Sequence, residues 1–291
     1  MRNLDFISEE RRAVISNIGE ALAKGDSFAK VELSDPRPNE EEIKKVIIPF
    51  DNKRRSPVSK CKAYFARILA EKFTKAVNKD TSIVGLDNAL GITGGAIITA
   101  NHYNPTDSTP IRMMASLMGK GKKLHIIVQQ SNIFMTGLFG FLMKNCNTHP
   151  VSKNAEYTVK NLNPAIEDIL KRGNLLLIYP EQEMWYNYKK PRSLRDGAYH
   201  YAALLEVPII PTFTEMRALP GERDKDGFLP IKHILHILPP IYPDKNLSAR
   251  ENRVIMQTKD YNMRKELYES VYGIPLTDDF TPERDIAGIT L

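Results

Sequence analysis

The chain has only two cysteines, one tryptophan, and no apolar run approaching the roughly 20 residues that a bilayer-spanning helix requires. Cys61 and Cys146 stand in unrelated contexts, with no C-x-x-C pair and no metal-ligand spacing. That argues against a disulfide framework and a bound metal, and points to free thiols in a reducing compartment. The start, Met1 to Ala13, is charged and lacks a signal-peptide core. A cytoplasmic protein, soluble or peripheral, is expected. Internal repeats and low-complexity segments are absent. There is no G-x-S-x-G, and neither cysteine sits beside a promising base, so a serine or cysteine hydrolase is disfavoured.

The composition is that of an ordinary globular protein. Of 291 residues, 42% are hydrophobic and 26% charged, enough for one large α/β domain with additions or for two small ones. A net charge of +6 favours acidic partners: a phosphate-bearing substrate, an acidic carrier protein, anionic lipid or nucleic acid. The basic residues do not follow one helix and no nucleic-acid motif is present, so no nucleic acid is expected.

The first 60 residues predict helices at Ser8–Ala23 and Asn39–Ile47, with a basic loop from Asp51 to Pro57. Another helix is predicted at Tyr64–Val77 and a short strand at Ser82–Leu86. From about residue 95, strands and helices alternate. The strands are Ala96–Ala100, Leu124–Val128, Leu175–Tyr179, Pro208–Phe213 and Lys232–Leu238. The helices are Thr106–Met118, Ile133–Lys144, Ala155–Lys171 and Asp196–Leu205. A long helix, Ser248–Val271, and a tail finish the chain. The pattern implies an α/β fold: a largely parallel mixed sheet flanked by helices, with a helical N-terminal extension.

His102 follows directly on the strand Ala96–Ala100, at the carboxyl end where ligand sites of open α/β sheets gather. Asp107 lies five residues on, across a tight turn through Asn104-Pro105. A carboxylate folded back onto an imidazole fixes its tautomer, and the free ring nitrogen then takes a proton from an attacking hydroxyl. The same residues also fit a surface histidine and a helix-capping aspartate. Tyr179-Pro180-Glu181 ends the most apolar strand and can share a face with His102. Lys189, Lys190, Arg192 and Arg195, with Trp185, Tyr186 and Tyr188, fit either phosphate binding or a solvated basic loop. Ile133–Met143 reads as a core helix or as a surface that meets acyl chains or membrane. His233 and His236, three apart on a strand, face opposite sides and read as structural. His125, His149 and His200 look isolated.

Taken together, these pieces resemble the glycerolipid acyltransferase family. Its N-H-x4-D block is matched by Asn101, His102 and Asp107. A small apolar helix, Gly137 to Leu142, and a short strand ending in Lys153 match the second block, where the family usually has arginine. Tyr179-Pro180-Glu181-Gln182-Glu183-Met184 stands at F-P-E-G-T-R, and Val207-Pro208-Ile209-Ile210-Pro211 at V-P-I-x-P. Between these two, Arg195-Asp196-Gly197-Ala198 matches the basic K-G-A. The resemblance covers roughly residues 82–245. It divides the chain into a helical extension (1–80), an acyltransferase core (81–245) and a C-terminal helix and tail packed on that core (246–291).

The resemblance implies an acyl thioester donor, on coenzyme A or acyl carrier protein, and no other cofactor. It also implies direct attack by the acceptor hydroxyl, without an acyl-enzyme. His102 becomes the general base and Asp107 its orienter; Asn101, Lys153, Glu181, Gln182, Glu183, Arg192 and Arg195 become substrate contacts. The third block departs from the pattern. Gln182, Glu183 and Met184 replace Gly, Thr and Arg, which removes the forked cation assigned to an acceptor phosphate. Two expectations follow: Lys189, Arg192 or Arg195 supplies that charge from a shifted loop, or the acceptor is a less anionic glycolipid or lysolipid. The same departure suits a catalytically silent member that binds lipid or acyl carrier. Either member is expected to lie on the inner face of the membrane, through Ile133–Met143 and the basic Lys53, Arg54 and Arg55.

Overall fold

A computed structural model of the protein describes residues 4–119 and 121–291, so Met1–Asn3 of the charged start lie outside it. Four helices precede the sheet: α1 (Glu9–Ala23), α2 (Glu40–Ile47), α3 (Phe50–Arg54) and α4 (Pro57–Val77). Val14, Ile15 and Ile18 form the buried face of α1, whose first turn is capped by Ser8. Asn39 and Glu42 form a reciprocal capping box at the start of α2. The expected basic loop at Asp51–Pro57 is corrected, because α3 occupies most of it. Phe50 is buried, and Arg54 lies over its ring and donates to the carbonyl of Thr148. These tertiary contacts hold a helical turn that local charge does not announce. α4 begins at Pro57, ahead of the predicted Tyr64, since Ser56 caps it and proline suits a first helical position.

The alternating segment runs β1 (Ser82–Val84), α5 (Asp87–Leu90), β2 (Ala96–Thr99), α6 (Ser108–Leu117), β3 (Leu124–Gln129), α7 (Gly137–Asn145) and β4 (Thr148–Val151). It continues through α8 (Ala155–Tyr157), a π turn, α9 (Asn163–Lys171), β5 (Leu175–Ile178), α10 (Gly197–Leu204), β6 (Ile209–Ala218) and β7 (Ile231–Ile237). Then come α11 (Ala249–Tyr272) and α12 (Pro282–Asp285). The single helix expected at Ile133–Lys144 is split. A 3-10 turn ends at Phe134, Met135 and Thr136 are extended, and Gly137 takes a φ of 63° before α7 proceeds.

The seven strands form one mixed sheet in the order β1-β7-β6-β2-β5-β3-β4. Pairing is parallel except between β6 and β7. β2 and β5 lie at the centre, and all four residues of β2 are buried, as a strand covered on both faces requires. From β2 the chain crosses β5 to reach β3; from β5 it crosses β2 to reach β6. The crossovers diverge, and at such a point the carboxyl ends of neighbouring strands open a crevice.

On one side α4 packs against α6 and α7; on the other α10 packs against α11, which also meets β6. Asp260 of α11 ties that side down. It accepts hydrogen bonds from Thr99 of β2 (2.6 Å), Tyr199 of α10 (2.6 Å) and the neighbouring Arg264 (2.6 Å), all buried. Removing one partner of such a buried pair costs about 3–5 kcal/mol, because the other charge is left uncompensated. The chain ends form a second core, where Ile7, Val14, Ile15 and Ile18 pack with Trp185, Tyr188, Ile286 and Ile289.

His125 and His149 are not isolated as expected. They stand on the adjacent strands β3 and β4 with Nδ1 of His125 3.0 Å from Nε2 of His149. Burial pushes His125 down to about 4 and His149 down to about 3, helped by the nearby Arg54 cation. Both rings are therefore neutral in the fold but charge below about pH 6.5 once unfolded. The unfolded chain binds more protons in that window, so stability is full above about pH 6.5 and falls as pH drops toward 4. Thermal melts should show a loss of about 4 kcal/mol between pH 7.5 and pH 5 from this pair, about 2 for each histidine. The loss should shrink in His149→Gln; an equal loss in that variant contradicts the assignment.

Candidate active site

Register brings two segments to one place. Thr99 of β2 pairs with Ile178 of β5, so Asn101–His102 and Tyr179–Glu181 leave the sheet side by side. After β2 the chain turns tightly. The side chain of Asn104 accepts from the backbone and hydroxyl of Thr106 (both 2.7 Å), and its carbonyl accepts from the backbone of Asp107 at 3.2 Å. This turn returns Asp107 to His102, whose Nδ1 lies 2.6 Å from Oδ2 of the carboxylate. Asp107 occupies the position before α6, yet its side chain makes no capping bond to the helix. The bland reading of the pair as surface histidine and capping aspartate is thereby removed.

Asp107 is 4% exposed and accepts two further hydrogen bonds, from the backbone N–H of Tyr103 at 3.1 Å and the hydroxyl of Tyr179 at 2.7 Å. The Tyr179 ring also stacks on the His102 imidazole, with centroids 4.2 Å apart and planes 20° off parallel. Burial, with the adjacent Asp107 charge, holds the Tyr179 phenol well above its ordinary range, so it remains a donor. His102 is 22% exposed at its side chain. With Nδ1 directed at the carboxylate, Nε2 is the nitrogen able to take a proton.

The remaining sequence-predicted residues divide. Glu181 is 2% exposed and lies behind His102. Its Oε2 accepts from the His102 backbone N–H at 3.2 Å and sits 3.1 Å from the Arg192 guanidinium. Its Oε1 accepts from the backbone of Arg192 at 3.2 Å. This carboxylate thus fixes the histidine's main chain. Asn101, expected among the substrate contacts, is corrected to a structural role. Its amide donates to the Thr214 carbonyl (3.1 Å) and accepts from the Thr214 N–H (2.7 Å), which ties the chain just past β2 to the middle of β6. Gln182 is exposed at the rim with a φ of 63°, which explains why glycine suits this position in the resembling pattern. Glu183 accepts from Gln129 at the end of β3 (2.5 Å), a partner that the sequence did not single out. Lys153 is exposed just beyond β4 and shares no hydrogen bond with the His102 cluster.

The stretch from Trp185 to Arg192 is mostly buried and tied to the rest of the chain, not a solvated loop. Trp185 N–H donates to the His102 carbonyl (3.0 Å) and Asn187 N–H to the Tyr103 carbonyl (2.7 Å). Arg192, expected as a substrate contact, is buried. Besides Glu181 it donates to the carbonyls of Ser27 (2.9 Å) and Glu183, and it stacks over Trp185. Lys190 is buried against Asp285 at 3.2 Å. Lys189 lies near the Tyr272 ring and Arg195 over Phe28 at 3.7 Å. The termini hold this stretch: Ala29 accepts from the Trp185 indole at 2.9 Å, and Ala287 donates to Asn187 at 2.8 Å. Spacing in the sequence gives no sign of these partners, which come from both ends of the chain. Among the described residues, no cluster of three or more histidine, cysteine or acidic side chains suits a metal ion.

Residues 75–215 match the family model described as Acyltransferase. No curated protein matches the sequence. Among solved structures the chain is similar to the 1-acyl-sn-glycerophosphate (LPA) acyltransferase, PlsC, from Thermotoga maritima. The identity is 18% and the TM-score 0.52, over 93% of this chain and 100% of that one. At that identity the likeness is one of fold.

Proposed function

We propose that this chain, a member of the acyltransferase family through residues 75–215, moves a fatty acyl group from an acyl thioester to a hydroxyl of a lysolipid or glycolipid. The observation that carries the reading is the 2.6 Å contact between His102 Nδ1 and a buried Asp107, which leaves Nε2 to act as the base. The acceptor oxygen attacks the thioester carbonyl carbon while Nε2 takes its proton. The tetrahedral intermediate collapses, the carbon–sulfur bond breaks, and the imidazolium returns the proton to the departing thiolate. No covalent acyl-enzyme is needed. The donor thiol belongs to coenzyme A or acyl carrier protein.

Of the two expectations for the acceptor, the engaged cations support the second. Arg192 is buried in an ion pair with Glu181, Lys189 lies over the Tyr272 ring and Arg195 is stacked on Phe28. Gln182, Glu183 and Gln129 are left to meet the headgroup. These are groups suited to hydroxyls, as in a glycolipid or an uncharged lysolipid. The alternative, a silent member that binds lipid or carrier, draws on the same altered block, but a histidine oriented by a buried aspartate favours turnover.

The protein is read as peripheral, at the inner face of the membrane. No helix among the described residues is long and apolar enough to cross one. α4 presents Val58, Tyr64, Phe65 and Leu69 to solvent beside Lys60, Lys62 and Lys72, with Leu138 of α7 also exposed. Arg54, expected to meet lipid, instead turns inward to Thr148, whereas Lys53 and Arg55 remain exposed.

Two measurements test this. Thiol release from acyl-CoA or acyl carrier protein with a panel of lysolipids and glycolipids should fall by at least about a hundredfold in His102→Ala. Release that is unchanged in the variant overturns the assignment, and binding without turnover by any pair supports the silent reading. In flotation with anionic liposomes at low salt the protein should rise with the lipid, and less so in Phe65→Glu; no flotation removes the membrane reading.

A further inference from the structure

Tyr179 stands where the family pattern has phenylalanine, and its hydroxyl is the difference. That oxygen donates to Oδ1 of Asp107 at 2.7 Å, while Oδ2 faces His102 Nδ1 and the Tyr103 N–H. The ring lies 4.2 Å from the imidazole and nearly parallel to it. One side chain thus holds both members of the pair. We propose that Tyr179 is a positioning residue for acyl transfer: its phenol anchors the far oxygen of Asp107 and its ring backs His102, so that Nε2 is held toward the acceptor hydroxyl. The proposal rests on the reading of His102 as the base.

A carboxylate whose second oxygen is free can rotate, and its rotation carries the imidazole with it. The phenol removes that freedom. The hydrogen bond also draws charge from Asp107, so the carboxylate holds a proton on the imidazole less tightly than it would alone. Other charged and titratable groups face the pair. Arg112 of α6 places a cation near Tyr179, His233 of β7 lies within the field of Asp107, Tyr103 sits in the same turn, and Glu181 binds the His102 backbone. None of these residues bonds to Oδ1 of Asp107.

Tyr179→Phe keeps the ring stacked and deletes only the donor; Tyr179→3-fluorotyrosine keeps both and strengthens the donor. Two readouts separate positioning from folding. In the transfer assay with acyl-CoA and the best acceptor of the panel, Tyr179→Phe should lower kcat about tenfold with little change in KM. The acid limb of its pH–rate profile should move to higher pH by about half to one unit, the size expected when a carboxylate loses one hydrogen bond. The fluorinated variant should move the limb the opposite way. The same shifts should appear in the histidine Cε1 resonance of the substrate-free protein that is absent from His102→Asn. Unmoved limbs and resonances in both variants overturn the proposal. If His102→Ala retains full activity while the resonance shifts persist, the positioning holds and the acyltransferase reading fails.

Discussion

The carboxylate of Asp107 is the constraint on which the site depends. A nearly buried charge is tolerated only when hydrogen bonds replace its lost hydration. Here they come from three directions: the imidazole of His102, the main chain of Tyr103 and the phenol of Tyr179. Each donor is delivered by a different part of the fold. β2 ends just before His102, the Asn104 turn brings the aspartate back, and β5, paired with β2, places Tyr179 alongside. A slip of one residue in the β2–β5 register would turn Tyr179 to the other face and leave the carboxylate short of a donor.

A second buried anion supports the first. Glu181 holds the backbone N–H of His102 and is neutralised by Arg192, which in turn reaches the main chain of Ser27 and Glu183. Arg192 and Lys190 are therefore parts of the scaffold behind the histidine, and the N- and C-terminal segments complete it through Trp185, Asn187 and Lys190. The altered third block fits this arrangement. Gln182 accepts the left-handed backbone that glycine would favour, and Glu183 bonds to Gln129 instead of meeting phosphate.

What the sequence made legible was local or periodic. Continuous apolar runs marked β2 and β5, helical spacing marked α1 and α9, and a histidine at a strand end with an aspartate across a short turn marked the reacting pair. The hidden part depended on long separations or single atoms. Arg192 meets Ser27 across 165 residues, and His125 meets His149 only because β3 and β4 pair. Asn101 read as a substrate contact because it belongs to the N-H-x4-D block, but its amide is taken up by the main chain of Thr214 on β6. Tyr179 differs from phenylalanine by one oxygen, and only the fold shows that oxygen against Asp107.

The most direct test of this account is Asp107→Asn, which preserves shape and removes the charge that orients the base. Transfer from acyl thioester to the acceptor should fall at least about a hundredfold, as expected when an imidazole loses its orienting carboxylate, while the protein remains folded. A folded Asp107→Asn variant with wild-type turnover would contradict it.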